Sequence, residues 1–308
     1  MTGAGAATVA FGKEQTFMGD LVDGDSDGNP DYWKFGRNPS VTDLELDRGL
    51  SNMTEGDSAE YVESIAGNLE GAFGIEATVS SDVHGDVEDL VFNDGGTGFT
   101  PGRAASGRVF TGIDYLDGTA ERELIGCIPL DYSVSYEQGD EFTYSLSMGY
   151  ADEKLNTSIT PSSINTVSDG TSATFHGITL QIDGTTVAKL QSAELSISNI
   201  SRFQRGADHV AVDAVLARPE MELTVDATIA GPSRTELAYG SAGATETAAR
   251  MDSVTGSLEA AVDGTPVSTY NFAKLKPSTN SWNDVITDGD TDTTDSTTFN
   301  VTGGVTVA

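Results

Sequence analysis

Two stretches of this 308-residue chain repeat one another, and a repeat restricts the available folds more than composition does. Ile75-Glu76-Ala77-Thr78-Val79 and Val225-Asp226-Ala227-Thr228-Ile229 match position by position in chemical type at a spacing of 150 residues. Upstream, Leu44-Glu45-Leu46-Asp47 aligns with Leu195-Ser196-Ile197-Ser198 at a spacing of 151. Downstream, Asp117-Gly118-Thr119 aligns with Asp263-Gly264-Thr265 at 146. A candidate helix follows each copy of the pentapeptide. Four features in one order at nearly one spacing argue for a duplicated module.

The modules read as mainly β. Apolar and polar residues alternate at period two from Val41 to Leu46, Leu69 to Val79, Ile128 to Tyr136 and Phe142 to Met148. The same alternation runs from Ile178 to Ile182, Leu195 to Ile200, Met221 to Ile229 and Phe299 to Val307. Asp183-Gly184 and Asp263-Gly264 have the composition of two-residue hairpin turns. Helix signals are few. Val83, Val87, Leu90 and Val91 share one face of a helix over Asp82 to Phe92, behind a Ser80 or Ser81 cap. A second short helix opens at Ser233, where Glu236 completes a capping box ahead of Leu237 and Tyr239. The expected division is an N-terminal arm with an acidic loop (1–38), a first module (39–155), a Ser/Thr-rich linker (156–174) and a second module (175–308).

Charge narrows the partners. The chain carries 48 Asp and Glu against 16 Lys and Arg, a formal net charge of −32. Such a surface repels phosphates, because nucleic-acid binding needs Lys and Arg to displace counterions. Acidic chains of low complexity are often disordered, yet apolar residues recur here at strand spacing along nearly the whole length. A folded protein from a very salty cytoplasm accounts for both, since molar salt screens self-repulsion to a Debye length of about 3 Å. Cys127 is the single cysteine and cannot form an internal disulfide. The first residues lack a basic start and an apolar core, and no run approaches a membrane span, which predicts a soluble compartment.

Catalytic signatures are weak. Gly24-Asp25-Ser26-Asp27-Gly28 fits a nucleophile elbow in letters, but Asn29-Pro30 follows where that motif requires a helix. His84, His176 and His209 are scattered, without metal-ligand spacing. Gly96 and Gly98 precede Pro101 with no βαβ unit, so a dinucleotide site is not expected. No enzyme activity is expected. Asp23, Asp25, Asp27 and Asp31 around Gly28 form a better cation loop, able to point hard oxygens at one Ca²⁺ or Mg²⁺. Lys34 stands where an EF-hand has its bidentate Glu. Asp288, Asp290, Asp292 and Asp295 repeat the alternation without the glycine. In a chain this acidic, either run is also accounted for as a solvated loop.

Three segments carry a family resemblance: Val9-Ala10-Phe11-Gly12-Lys13-Glu14-Gln15-Thr16-Phe17, Gly126-Cys127-Ile128-Pro129-Leu130-Asp131-Tyr132-Ser133-Val134-Ser135, and Leu190-Gln191-Ser192-Ala193-Glu194-Leu195-Ser196-Ile197-Ser198-Asn199. They resemble the strand patterns of major tail tube proteins of long-tailed viruses, and with the acidic composition those of haloarchaeal tailed viruses. The resemblance extends from about Val9 to Lys276 and departs from Pro277 to Ala308. It implies duplicated tail-tube-like β-barrel or sandwich modules, each with a short flanking helix, similar in fold to the type VI secretion tube. It implies a virion structural protein, assembled in the host cytoplasm into the tail as stacked rings that form a passive conduit for DNA. The implied partners are other copies of the chain, tape measure, tail completion and baseplate proteins, and DNA in transit without specific binding; no membrane is implied. Two modules per chain give a pseudo-hexameric ring from three chains, whereas one tube module per chain needs six.

A secreted haloarchaeal surface or adhesion protein of β-sandwiches would share the composition and the duplication. Sequons at Asn52, Asn156, Asn199 and Asn300 suit it, and the absence of a visible signal peptide counts against it.

Overall fold

Period-two alternation becomes antiparallel strands along most of the chain. The structure, a computed structural model, describes residues 7–24, 26, 28–57, 60–115, 118–155, 172–286 and 292–308. The first half runs β1 (Ala7–Lys13), β2 (Arg37–Asp47), β3 (Ser51–Thr54), β4 (Tyr61–Ile65), β5 (Glu70–Thr78), α1 (His84–Val91), β6 (Gly107–Tyr115), β7 (Gly118–Glu137), β8 (Thr143–Tyr150) and β9 (Asp152–Leu155). The second runs β10 (Ile178–Ile182), β11 (Thr185–Thr186), β12 (Leu190–Ser198), β13 (Ser201–Arg205), β14 (Ala211–Leu216), β15 (Glu220–Thr228), α2 (Ser233–Tyr239), β16 (Val254–Val262), β17 (Thr265–Asn283) and β18 (Thr294–Val307). Ala7–Lys13, expected in an arm, is a strand of the first half that pairs along its whole length with β6.

The halves share one order and one register. In each, a strand, a small hairpin and a second strand are followed by a helix and three more strands: β2, β3–β4, β5, α1, β6, β7, β8 against β12, β13–β14, β15, α2, β16, β17, β18. Leu44 pairs with Phe73 as Leu195 pairs with Leu223. Ile75 pairs with Leu146 as Val225 pairs with Thr297. Tyr115 and Gly118 close one hairpin, and Val262 and Thr265 close its counterpart 147 residues later. Pro129 stands just before a register shift between β7 and β8, and Pro277 just before one between β17 and β18. A missing N–H is tolerated at such irregularities. β9 corresponds to the distal half of β18, since both continue the strand before them along the other end of the long strand.

One sheet joins the halves, in the order β11-β10-β16-β17-β18-β15-β12-β7-β8-β5-β2. β7 makes this possible by bending. Its first part pairs with β6 and β9 and its second with β8 and β12. Gly126, at φ 65°, sits at the change of partners, where a Cβ would lie 2.8 Å from Met18 Cγ. A side chain there meets both a left-handed backbone penalty and a filled space.

Both predicted Asp-Gly turns form with φ positive at both residues, the mirror-image turn that suits strand twist. Neither helix carries its predicted cap. The N-cap positions are Val83 and Pro232, without side-chain cap bonds. The Ser80 carbonyl instead accepts the His84 N–H at 3.0 Å, and the Glu236 carboxylate accepts the Gly243 N–H at 2.9 Å. Among the described residues no helix is long and apolar enough to cross a membrane.

Candidate functional site

The two acidic runs adopt different surroundings. Asp31 Oδ2 accepts the Gly24 N–H at 2.6 Å and Asp23 Oδ2 accepts the Gly28 N–H at 3.0 Å, so these carboxylates close their own loop. Asp25 and Asp27 lie outside the described residues, as do Asp288 and Asp290. Asp292 is exposed. Asp295 opens into β18 and is buried, and its carboxylate is bound by the Arg234 guanidinium of α2. Among the described residues no group of three or more His, Cys, Asp and Glu side chains converges closely enough to hold a metal. Ser26 sits in the exposed loop at φ 59°. His84 is buried in α1, His176 lies in the short turn Phe175–Gly177, and His209 lies between β13 and β14 beside Asp208.

Buried carboxylates are the groups that sequence reading missed. Glu14 is enclosed where β1 ends and accepts Ser106 Oγ at 2.8 Å and the amides of Met18 and Gly126 at 2.8 and 3.1 Å. Burial raises its pKa, against the lowering effect of those bonds and of Arg108. Arg108 spans Glu14 and Glu123 at 3.3 and 2.9 Å and donates to the Gly19 carbonyl. Together they pin residues 14–19 to the bend of β7.

A second polar cluster ties the halves together. Glu88 of α1 accepts hydroxyl bonds from Ser268 and Tyr270 of β17, at 2.5 and 2.7 Å. Tyr270 and Tyr132 of β7 are 2.9 Å apart at their hydroxyls, with His84 Nε2 within 3.2 Å of both. Burial alone would raise the Glu88 carboxyl, but His84 and the two hydroxyls outweigh it and hold its pKa below the usual value. Burial drives the Tyr132 and Tyr270 phenols well above theirs.

The junction between the halves is a strand pairing and a docked hairpin. β12 runs antiparallel to β7 from Ser192↔Glu137 to Ile197↔Tyr132, with fully buried Leu195 opposite Val134. The β13–β14 hairpin lies across the first half. Phe203 covers Gly149, where a Cβ would lie 3.0 Å from its ring, and packs at a tilt against Phe17 with ring centroids 6.0 Å apart. Arg205 donates to the Leu69 carbonyl at 3.0 Å, Leu69 N–H donates to the His209 carbonyl, and Ala104 N–H donates to the Ala214 carbonyl.

Among the described residues, the corresponding elements in the other positions lack such partners. Among the described residues β2, the counterpart of β12, terminates the sheet and pairs only with β5. β17 from Pro277 onward, the counterpart of the second part of β7, pairs among the described residues only with β18. Exposed large apolar side chains concentrate at these places: Leu46, Leu50, Met53, Tyr61 and Val62 around β2 to β4, and Trp282, Val285 and Ile286 at the end of β17. Open edges with apolar flanks are the chemistry of association.

No protein-family model matches this chain, and no curated protein matches it.

Proposed function

We propose that the protein is the structural subunit of a viral tail tube, self-assembling into rings that stack into a passive conduit for DNA. The supporting observation is that the two halves of the chain have the same junction elements, one pair joined within the chain and the other pair, among the described residues, left open. A head-to-tail contact of this kind generates rings or filaments from one protein. In the pseudo-hexameric version three chains contribute six modules.

The charge fits a conduit that does not grip its cargo. With 16 basic residues against 48 acidic ones, a lumen built from this chain repels phosphate at short range, and salt screens that repulsion beyond a few ångströms. No residue is assigned a catalytic role, and the energy of DNA ejection comes from elsewhere. Negative-stain microscopy of the purified protein in molar salt is the direct test: rings and hollow tubes are expected, and dispersed particles at high protein concentration would refute the reading. Assembled tubes mixed with DNA fragments across a salt series should show no strong binding; tight binding that weakens steeply with salt would refute the passive conduit.

A further inference from the structure

From the internal junction we infer the contact between copies: β2 of one copy pairs antiparallel with the Pro277–Asn283 edge of β17 in the next, with Leu44 opposite Trp282. This deepens the proposed function and rests on its self-assembly, but neither tubes nor a particular ring size is required for it.

The register follows from the duplicated pairing. β2 maps onto β12 through their shared partners, Leu44↔Phe73 and Leu195↔Leu223, and Leu46↔Gly71 and Ile197↔Met221. The second part of β7 maps onto the end of β17 through β8 and β18. Tyr132↔Leu146 becomes Asn280↔Thr297, and Val134↔Tyr144 becomes Trp282↔Asp295. Inside the chain Leu195 faces Val134, Glu194 faces Ser135 and Ser196 faces Ser133. Carried across, Leu44 faces Trp282, Asp43 faces Asn283 and Glu45 faces Ser281 of the neighbouring copy.

Exposure supports the same contact. Val134, Leu195 and Ile197 are buried at the internal junction, whereas their counterparts Trp282 and Leu46 are 52% and 45% exposed and Leu44 is half-buried in the single chain. The α2 helix meets this strand through side chains. Its Thr235 bonds Asn280 and Trp282 from the face of the strand, as α1 reaches Tyr132 of β7 through His84 while β12 still pairs alongside. The hairpins extend the argument. β13–β14 packs on the first half next to the β7–β12 pairing, so β3–β4 is placed to pack on the second half of the neighbour. There its exposed Leu50, Met53, Tyr61 and Val62 would be covered.

Charge discriminates this partner from an arbitrary acidic surface. β2 presents Asp43, Glu45 and Asp47, and Lys274 to Asn283 contains no acidic residue and includes Lys274 and Lys276. β2 can therefore approach that edge without setting its carboxylates opposite others.

Cysteine pairs test the register. Adjacent positions on an antiparallel ladder alternate between wide and close pairs, so Leu44→Cys with Trp282→Cys and Asp43→Cys with Asn283→Cys together sample one of each. The second pair also leaves the Trp282 bond to Thr235 intact. Each chain with one introduced cysteine is mixed with its complement in molar salt and oxidised with diamide. Cys127 is a quiet background because it is fully buried and burial raises its thiol pKa well above the usual value. Heterodimer bands are expected from at least one matched mixture, and a ladder from the corresponding double variant. Asp47→Cys mixed with Asn283→Cys, four positions out of register, should give at least tenfold less. Absence of cross-links in both matched mixtures, or equal yield out of register, overturns the contact, whatever microscopy shows. Matched cross-links without tubes would uphold the contact and remove the tube.

Discussion

Replacing Glu88 should destabilise the whole chain, because this one carboxylate joins a helix of the first half to a strand of the second. Glu88 is 4% exposed and accepts Ser268 and Tyr270, with His84 Nε2 3.4 Å away. Hydrogen bonds to a charged group contribute about 1.5–3 kcal/mol each, and removing one side of a buried charged cluster costs about 3–5 kcal/mol overall. Glu88→Ala should therefore lower stability by about 4 kcal/mol, to which its cavity adds. At about 2 °C per kcal/mol for a chain of this length, the melting temperature falls by about 8 °C. Glu88→Gln keeps the volume and should lose about half as much. Because the folded carboxyl titrates below its ordinary 4.5, its contribution is fully present above that value and is lost as pH falls through the folded pKa. Calorimetry of parent and Glu88→Gln at matched salt from pH 3 to 7 should show the difference between them shrinking in acid. Tyr132→Phe combined with Glu88→Gln should be non-additive by about 1 kcal/mol, since both act on one network. A Glu88→Gln protein that melts within 1 °C of the parent at pH 7, with a pH-independent difference, would refute this account.

Three further outcomes are expected. Arg234→Met leaves Asp295 buried without its cation and should cost about 3–5 kcal/mol in urea unfolding, partly recovered by adding Asp295→Asn. Gly126→Ala should destabilise by about 2 kcal/mol or more through its positive φ and its contact with Met18, whereas Gly85→Ala, in α1 with open space at its Cβ, should stabilise by about 0.5–1 kcal/mol; melting temperatures of the two variants decide. For the Asp23–Asp31 loop, calcium should raise the melting temperature and Asp25→Asn with Asp27→Asn should abolish the rise; a parent indifferent to both calcium and chelator marks the loop as a solvated surface.

Legibility in the sequence followed burial. Ile178–Ile182 has alternation strong enough to set both its ends, and the Asp263-Gly264 turn is dictated by two residues that tolerate positive φ. The β3–β4 hairpin left no such signal, because its faces are both exposed in the single chain and nothing forces alternation. β17 continues through Pro277 by way of an irregular pairing, a continuation that period-two counting does not reach. The Ser233–Glu236 capping box was legible but did not form, since Pro232 takes the cap position and Glu236 reaches Gly243. Glu14, Glu88 and Asp295 were invisible for a different reason. In a chain with 48 acids, a buried carboxylate has the same letter as a solvated one, and only long-range register brings Ser106, Ser268 or Arg234 to it.

Joining two modules in one chain divides the association problem in two. The β7–β12 junction is held at the high effective concentration of a linked pair, and its inward face seals Leu195 and Val134 from water. Under the proposed contact the β2 and β17 edges would have to remain soluble until copies meet, and they are milder: half-buried Leu44 is flanked by Asp43 and Glu45, and Trp282 is anchored to Thr235 rather than fully exposed. Charges along an open strand oppose indiscriminate pairing. Two copies each bearing −32 also repel at long range, a barrier that falls away when the Debye length shrinks to about 3 Å in molar salt. In the proposed assembly, the same acidic surface that would keep single chains apart at low salt would thus leave the complementary edges free to select one another at high salt.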